Sequence, residues 1–302
     1  METDVLIVGG SAAGLMAGIT ARKHYPEKKV TIVRKEDKVL IPCGIPYTLH
    51  TVDGPENNII PDEAATGKDI ELIINEVVEI DRENKNVKLK NGELIKYEKL
   101  VLGIGSSPFI PPIKGADLEN VYTVKKDFEL LKEMRNKVKE NKEIVIIGGG
   151  FIGVEFADEI RKNDDTNVTI IEILDNVLSL VCDDILCEKA ENKLRENGVN
   201  VLTESKVIEI VGDQKAEKVK LESGKEISAD VVIIATGVNP NTELASEAGL
   251  DSDSKKGILV DEYMRTSDPD IFACGDCVEK PSYFGENFQA AWLASIATNE
   301  GR

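Results

Sequence analysis

The sequence lacks the features that define several protein classes. No apolar run in its 302 residues approaches the roughly 20 residues that span a bilayer. Its five cysteines are too few and too unevenly placed for a secreted disulfide framework. Basic residues are in the minority, since 37 lysines and arginines face 55 aspartates and glutamates, for a net charge of −18. Such a charge repels phosphate backbones and anionic headgroups, which excludes nucleic acids and membrane surfaces as partners.

A targeting signal is also missing from the first residues. The stretch METDVLIVGG carries acidic residues where a secretory signal peptide has basic ones. We therefore expect a cytoplasmic protein. The chain is long enough for two domains, and its 41% hydrophobic content supports a core in each.

What the sequence does contain is a repeated pattern of strand, glycine turn and helix. The segment DVLIVGGSAAGLMAGITARKH has this order, and KVTIVRKE follows as a second strand. The order returns from Glu143 onwards as EIVIIGGGFIGVEFADEIRK and NVTIIEIL. This internal repeat of a βαβ unit predicts an α/β fold with two Rossmann-like, three-layer dinucleotide-binding domains.

The second copy of the repeat carries a complete dinucleotide fingerprint. Gly148, Gly150 and Gly153 form GxGxxG, and Glu172 ends the following strand. Glycines allow backbone N–H groups and the helix N-terminus to approach a pyrophosphate, while the acid accepts from ribose hydroxyls. A carboxylate there repels a 2′-phosphate, so we expect NADH to be preferred to NADPH.

The first copy departs from the fingerprint at two positions. Gly9 and Gly14 hold the outer glycine positions, but Ser11 replaces the middle glycine. Arg34 stands where the ribose-binding acid is expected, and Glu36 is a candidate substitute. A nucleotide site and a Rossmann-like unit without nucleotide are both compatible with this copy alone.

Downstream segments supply a family resemblance. TSDPDIFACGDC, VVIIATGVNPN and LVLGIGSSPFIPPIKG are strands that end in glycine turns. Together with the two repeats, they resemble the pyridine nucleotide–disulfide oxidoreductase family of flavoproteins over essentially the whole chain. The resemblance implies an FAD-binding domain at 1–112 and 243–302 and an inserted NAD(P)H-binding domain at 113–242. The family usually has Ala-Thr-Gly at the first crossing, where this chain has Gly103-Ile104-Gly105.

The resemblance also implies which residues bind the cofactors, with Asp276 bonding the ribityl chain of the flavin. The implied FAD-binding residues are Gly9, Gly10, Ser11, Ala12, Ala13, Gly14, Arg34, Lys35, Glu36, Pro42, Val77, Gly103, Ile104, Gly105, Gly275, Asp276, Gln289, Ala290 and Ala291. The implied NAD-binding residues are Gly148, Gly150, Phe151, Ile152, Gly153, Glu172 and Gly237. Phe151 lies where relatives place an aromatic residue over the flavin, and packing at the strand–helix crossing is the alternative. Glu155, in relatives, points toward the flavin.

The stretch LIPCGIPYT places a thiol, Cys43, just after the second strand of the first unit. Family members with a redox dithiol have a second cysteine five positions on, where this chain has Thr48. A single cysteine followed by GIPY resembles the one-cysteine branch, which includes coenzyme A disulfide reductases, persulfide or polysulfide reductases and NADH oxidases or peroxidases. In that branch the cysteine lies against the flavin and is redox-active. The alternative is a buried cysteine that only packs.

Other residues narrow the choice within that branch. The similar oxidases and peroxidases place a histidine in the first glycine turn, where this chain has Ala12, which favours a disulfide, persulfide or polysulfide reductase. Coenzyme A disulfide reductases have a serine and an asparagine where this chain has Val39 and Pro42, so the sequence does not predict that coenzyme A is bound. The alternatives are an NADH oxidase, a reductase of a rubredoxin- or ferredoxin-type carrier with Cys43 incidental, and a non-enzymatic NADH-responsive protein.

The remaining cysteines predict no metal site. Cys274 and Cys277 form a C-x-x-C, but no second C-x-x-C or histidine pair could complete a zinc site, so structural thiols are expected.

The resemblance implies that relatives continue past the position of Arg302 into a C-terminal domain that forms a homodimer. We therefore expect a homodimer for the full-length family and weak self-association for this chain.

Overall fold

The computed structural model describes residues 1–280 and 292–302. Its helices are α1 Ala12–His24, α2 Glu63–Thr66, α3 Phe128–Glu140, α4 Phe151–Arg161, α5 Asp184–Glu196, α6 Glu243–Glu247 and α7 Ala294–Gly301. Its strands are β1 Glu2–Val8, β2 Val30–Arg34, β3 Val39–Leu40, β4 Ile59–Ile60, β5 Glu71–Ile74, β6 Val77–Asp81, β7 Asn86–Leu89, β8 Leu94–Leu102, β9 Ser106–Pro108, β10 Val121–Thr123, β11 Glu143–Ile147, β12 Asn167–Ile171, β13 Asn200–Leu202, β14 Val207–Val211, β15 Lys218–Leu221, β16 Glu226–Ser228, β17 Val231–Ile234, β18 Val238–Pro240, β19 Ser252–Asp253, β20 Gly257–Ile258 and β21 Ile271–Ala273.

The chain packs into two compact units. Unit 1 comprises Met1–Cys43, Ile59–Ser107 and Asn239–Arg302, and unit 2 comprises Gly44–Asn58 and Pro108–Val238. The chain therefore passes between the units four times, after residues 43, 58, 107 and 238. No helix in the described ranges is both long and apolar enough to cross a bilayer.

Unit 1 is built on a seven-stranded sheet with the order β5-β2-β1-β8-β7-β6, and β21 also pairs with β8. Strands β5, β2, β1, β8 and β21 are parallel, with Ile7 opposite both Ile32 and Val101. These strands are runs of valine, isoleucine and leucine because a parallel sheet buries both of its faces. Small residues let α1 pack closely, since a Cβ at Gly18 would lie 3.0 Å from Ile32 Cδ1.

Unit 2 repeats this architecture, as the internal repeat predicts. Its parallel sheet has the order β10-β17-β11-β12-β13, with Ile147 opposite both Ile171 and Ile234. A three-stranded antiparallel sheet, β14-β15-β16, accompanies it. The predicted α/β fold with two Rossmann-like sheets is confirmed.

The segment Gly44–Asn58 packs with unit 2, although the domain prediction placed it in the FAD-binding domain. Buried Glu159 accepts hydrogen bonds from Thr51 N and Thr51 Oγ1, both at 2.8 Å. Arg135 donates to Thr48 O at 2.9 Å and to Asp53 Oδ1 at 2.6 Å. These contacts join residues far apart in sequence, which is why the segment packs there. The division into cofactor domains at 112 and 242 remains a prediction.

Candidate functional site

The first glycine turn lies at the carboxyl end of the unit 1 sheet. A side chain at Gly14 would collide with Gly9 O, so the helix can begin this close to the strand only with glycine. Gly9 has φ +112° and approaches Gly103 O, at the end of β8. Gly103 N donates to Val8 O at 2.8 Å, which holds the two strand ends together. The structure thus brings Gly9–Gly14 and Gly103–Gly105 to one edge, as expected for a ligand crevice.

Asp276 joins this edge through β21, which runs parallel to β8 and ends at Ala273, two residues before Gly275. Ser106 Oγ donates to Asp276 Oδ2 at 2.9 Å. Sequence reasoning missed Ser106, and no sequence signal marks it, since serine is common after a strand. Pro42 lies in a 3₁₀ turn and Val77 begins β6, both within unit 1.

Arg34 is held by a set of contacts that the sequence did not indicate. Its side chain is buried and donates to Glu36 O at 2.9 Å, Asp37 O at 2.8 Å and Asp62 Oδ1 at 2.6 Å. A Cβ at Gly10 would lie 2.7 Å from Arg34 Cδ, so the arginine stem packs directly on the glycine turn. Arg34 therefore shapes the loop after β2. A role for Arg34, Lys35 and Glu36 in binding FAD remains a prediction.

The second glycine turn in unit 2 has the same geometry. A side chain at Gly153 would collide with Gly148 O, as one at Gly14 would with Gly9 O. Gly150 is the N-cap residue of α4, and a Cβ added there would have no atom within 4 Å. Phe151, the next residue, is 49% exposed. That exposure does not fit the alternative in which Phe151 packs at the strand–helix crossing.

Glu172 is fixed at the carboxyl end of β12. Its carboxylate is buried and accepts from Gly149 N at 2.6 Å and Leu174 N at 2.8 Å. These two bonds hold the acid beside the second glycine turn, the position from which it would meet an adenosine ribose. Gly237, predicted to bind NAD, follows β17 and faces open space.

Both turns fit the pyrophosphate of a dinucleotide. Each is a glycine turn at the start of a helix of more than ten residues, where backbone N–H groups and the helix dipole favour an anion. The open space at Gly150 and Gly237 leaves a cradle that side chains would fill. Predicted FAD-binding residues Gln289, Ala290 and Ala291 lie outside the described residues.

Cys43 is exposed on the 3₁₀ turn Pro42–Gly44, which follows β3. Cys182 is partly buried, and Cys187 is buried in α5. The exposure of Cys43 does not fit the alternative of a buried packing thiol. The turn is compact, since a side chain at Gly44 would collide with Asn58 Oδ1. An exposed thiol on a turn stiffened by proline is accessible to a small disulfide.

Cys274 and Cys277 are buried behind the Asp276 turn. Burial raises the pKa of the Cys274 thiol and raises the pKa of Cys277 to about 11. Cys277 Sγ donates to Cys274 O at 3.3 Å and to Leu102 O at 3.4 Å. Protonated, hydrogen-bonded thiols of this kind pack and do not react. Among the described residues, no group of three or more His, Cys, Asp or Glu is placed to hold a metal ion, and the absence of a metal remains a prediction.

Glu155 and Tyr47 line a cavity of about 280 Å³ in unit 2, beside α4. Burial raises the pKa of Glu155, and the nearby Glu159 carboxylate raises it further. The charge of Glu155 in turn raises the pKa of Tyr47, four residues after Cys43. Tyr47, in the segment that follows Cys43, therefore lies in the same cavity as Glu155, whose carboxyl group has a raised pKa.

Comparisons with known proteins place this geometry in context. The chain is 36% identical over 309 residues to an NADH oxidase of Methanocaldococcus jannaschii, covering 98% of this chain and 68% of that protein. A NAD-dependent persulfide reductase structure from A. fulgidus superposes with a TM-score of 0.92 at 36% identity, covering 100% of this chain and 58% of that one. A ferredoxin reductase of Rhodopseudomonas palustris superposes with a TM-score of 0.92 at 27% identity, covering 99% of this chain and 74% of that one.

These relatives differ in the activity that their names give, which is NADH oxidase, persulfide reductase or ferredoxin reductase. The chain spans between 58% and 74% of their lengths. The model of the family described as "Pyridine nucleotide-disulphide oxidoreductase" matches residues 3–301. With two glycine turns at the carboxyl ends of two parallel sheets, this chain belongs to the pyridine nucleotide-disulphide oxidoreductase family, whose cofactors are FAD and NAD(P)H.

Proposed function

We propose that this protein is an FAD-dependent NAD(P)H oxidoreductase that reduces a small disulfide, persulfide or polysulfide through Cys43. The observation that carries the proposal is the exposed Cys43 thiol on the Pro42–Gly44 turn, while Cys187, Cys274 and Cys277 are buried. The likeness to the A. fulgidus persulfide reductase supports this choice of acceptor.

The two units hold the two cofactors in this proposal. In unit 1 the turn Gly9–Gly14, the crossing Gly103–Gly105 and Asp276 bind FAD, as their common position at the sheet edge supports. In unit 2 the turn Gly148–Gly153 and Glu172 bind NADH, the acid accepting from ribose hydroxyls. FAD supplies two-electron transfer between NADH and a sulfur substrate.

Cys43 performs the sulfur chemistry. Its thiolate attacks one sulfur of a disulfide RSSR, forming a Cys43–SR bond and breaking the S–S bond, so that RS⁻ leaves. Reduction of this mixed disulfide by the two electrons of NADH, which bound FAD would supply, would release the second thiolate and restore Cys43. The balance is NADH + H⁺ + RSSR giving NAD⁺ + 2 RSH. Pro42 and Pro46 restrict the backbone on either side of the nucleophile.

A second candidate is a reductase of a protein electron carrier, in which Cys43 has no redox role. The superposition on the Rhodopseudomonas palustris ferredoxin reductase favours it. In that case electrons leave to a carrier of the rubredoxin or ferredoxin type. The likeness to an NADH oxidase adds oxygen as a third acceptor to be tested.

The experiment compares wild type, Cys43→Ser and the control Cys182→Ser, which removes a partly buried thiol. Each is assayed with NADH and coenzyme A disulfide, polysulfide, oxygen, a rubredoxin or the artificial acceptor ferricyanide. We expect Cys43→Ser to lose disulfide and polysulfide reduction by at least about 100-fold while keeping ferricyanide reduction, because the covalent step needs the thiolate. Mass spectrometry should show a mixed disulfide on Cys43 that NADH removes.

The opposite result is equally informative. If Cys43→Ser reduces disulfides as fast as wild type and no adduct forms, Cys43 is not the nucleophile. Rapid reduction of the rubredoxin by both proteins would then support the electron-carrier candidate.

A further inference from the structure

Two charged side chains in unit 1, buried Lys280 and partly buried Glu300, have no role in the function proposed above. Lys280 is 8% exposed, and the Glu300 side chain is 14% exposed. Lys280 Nζ lies 2.6 Å from Glu300 Oε1 and 2.7 Å from Oε2. Removing two charges from water is costly, and the attraction between them repays that cost only with additional hydrogen bonds. The hydrogen bonds that Lys280 and Glu300 form with other residues therefore decide what the pair does.

Both members of the pair bond the same residue, Gly275. Gly275 N donates to Glu300 Oε2 at 2.7 Å, and Lys280 Nζ donates to Gly275 O at 2.7 Å. The ion pair thus holds the peptide groups on both sides of Gly275. Hydrogen bonds to charged groups are stronger than those between neutral groups, so these two bonds restrict the Gly275 backbone strongly.

Gly275 connects the ion pair to the first glycine turn. It has φ +84°, which only glycine adopts easily, and a Cβ there would lie 2.8 Å from Ala13 Cβ. The Gly275 backbone therefore rests directly on the start of α1. Its C=O belongs to the peptide that leads into Asp276, whose carboxylate accepts from Ser106 Oγ at 2.9 Å.

We propose that Lys280 and Glu300 are positioning residues for FAD, which hold the Gly275–Asp276 turn against the first glycine turn so that Asp276 meets the ribityl chain. This inference rests on the proposed binding of FAD in unit 1. The pair touches no cofactor atom itself and acts through the Gly275 backbone. Without it, Gly275 O loses its buried donor, and the remaining charge is left unpaired inside the unit.

The test compares FAD-loaded wild type with Lys280→Met and Glu300→Gln. The control is Glu279→Gln, because Glu279 is the neighbouring residue and, among the described residues, forms a loose ion pair with Lys256 at 3.8 Å. FAD release is followed by the rise of flavin fluorescence on dilution, and the visible circular dichroism of bound flavin reports how the ring and ribityl chain are seated. The thermal unfolding of each apoprotein is recorded separately.

We expect Lys280→Met to release FAD at least about tenfold faster, since it leaves the partly buried Glu300 charge unpaired and removes the donor to Gly275 O. Glu300→Gln keeps an oxygen acceptor for Gly275 N and should release FAD about threefold faster. Both variants should change the visible circular dichroism per bound flavin, and Glu279→Gln should match wild type. If Lys280→Met does not fold, Glu300→Gln decides.

Wild-type release rates and unchanged circular dichroism in Glu300→Gln would overturn the inference, even if apoprotein stability falls, because the pair would then be structural only. FAD binding needs neither Cys43 nor an acceptor. A wild-type protein that binds no FAD would contradict the proposed function, whereas unchanged variants of an FAD-binding wild type contradict this inference alone.

Discussion

Glu172 sets the expected nicotinamide preference through a single carboxylate. Glu172→Gln keeps the side-chain shape and one oxygen acceptor for Gly149 N or Leu174 N but removes the charge that repels a 2′-phosphate. We expect the preference for NADH over NADPH to fall by about tenfold, which corresponds to about 1.4 kcal/mol. The measurement is the ratio of kcat/KM for the two coenzymes.

The control for this prediction is Asp175→Asn, which removes a nearby exposed acid. It should leave the ratio unchanged. If Glu172→Gln and wild type show the same ratio, another residue governs the choice of coenzyme.

The residues of the two glycine turns could be predicted from sequence because their chemistry is local. Gly148, Gly150, Gly153 and Glu172 lie within one strand–turn–helix–strand unit, so spacing alone brings them together. Lys280 and Glu300 could not be predicted in the same way. Charged residues are normally assigned to the surface, and nothing local indicates that Lys280 and Glu300, from two different segments, pair with each other and bond the Gly275 backbone.

At the scale of elements, helix α4 buries the large side chain of Phe156 completely. Phe156→Ala should lower the free energy of unfolding by about 3–5 kcal/mol, because it removes a large side chain and leaves a cavity. Phe151→Ala, in the same helix at 49% exposure, is the matched control and should change it by less than about 0.5 kcal/mol. Urea unfolding of the apoprotein measures both. Equal effects would mean that α4 packs differently.

Strand β21 is joined to the unit 1 sheet partly through Asp270, which precedes it. Hydrogen bonds from Lys85 and Lys99 hold the pKa of Asp270 below its usual value. Because the folded-state pKa is depressed, the stabilisation is present above the unfolded pKa of about 3.9 and is lost as the pH falls through the folded value. Asp270→Asn should therefore lower the free energy of unfolding at pH 7 by about 1 kcal/mol or less.

The difference between wild type and Asp270→Asn should begin to shrink as the pH falls below the ordinary aspartate value of about 3.9, and it should be lost once the pH passes the depressed pKa of the folded state. The matched control is Glu79→Gln, whose ion pair with Lys88 at 3.4 Å is exposed. It should have a smaller effect at pH 7. A difference between wild type and Asp270→Asn that persists unchanged to pH 2 would contradict the electrostatic explanation.

The elements themselves follow closely from the apolar strand runs, whereas their grouping into units does not. The sequence pattern places β1, α1 and β2 in one local unit, and the structure agrees. The assignment of residues 44–58 depends on Glu159 and Arg135, which lie far along the chain. Only long-range packing, invisible to periodicity, decides where such a segment belongs.

At the scale of the whole molecule, the protein should copurify with FAD and not with FMN. The first glycine turn is of the Rossmann type that binds the pyrophosphate of a dinucleotide, which FAD has and FMN lacks, and Asp276 at the same sheet edge would meet the ribityl chain. The measurement is chromatography of the yellow cofactor released by heat. Colourless protein that cannot be reconstituted with FAD would contradict the assignment of unit 1.

The four passages of the chain between the units restrict how chimeras of this protein can be made. Exchanging residues 108–238 for the equivalent stretch of a relative looks like a clean swap with two junctions. It would leave residues 44–58 behind, so that Thr48, Thr51 and Asp53 would face a foreign helix pair in place of Arg135 and Glu159. A functional hybrid therefore needs both stretches from the same parent, and recombination between relatives should tolerate breakpoints at 43/44 and 58/59 only when the partners of this short segment travel with it.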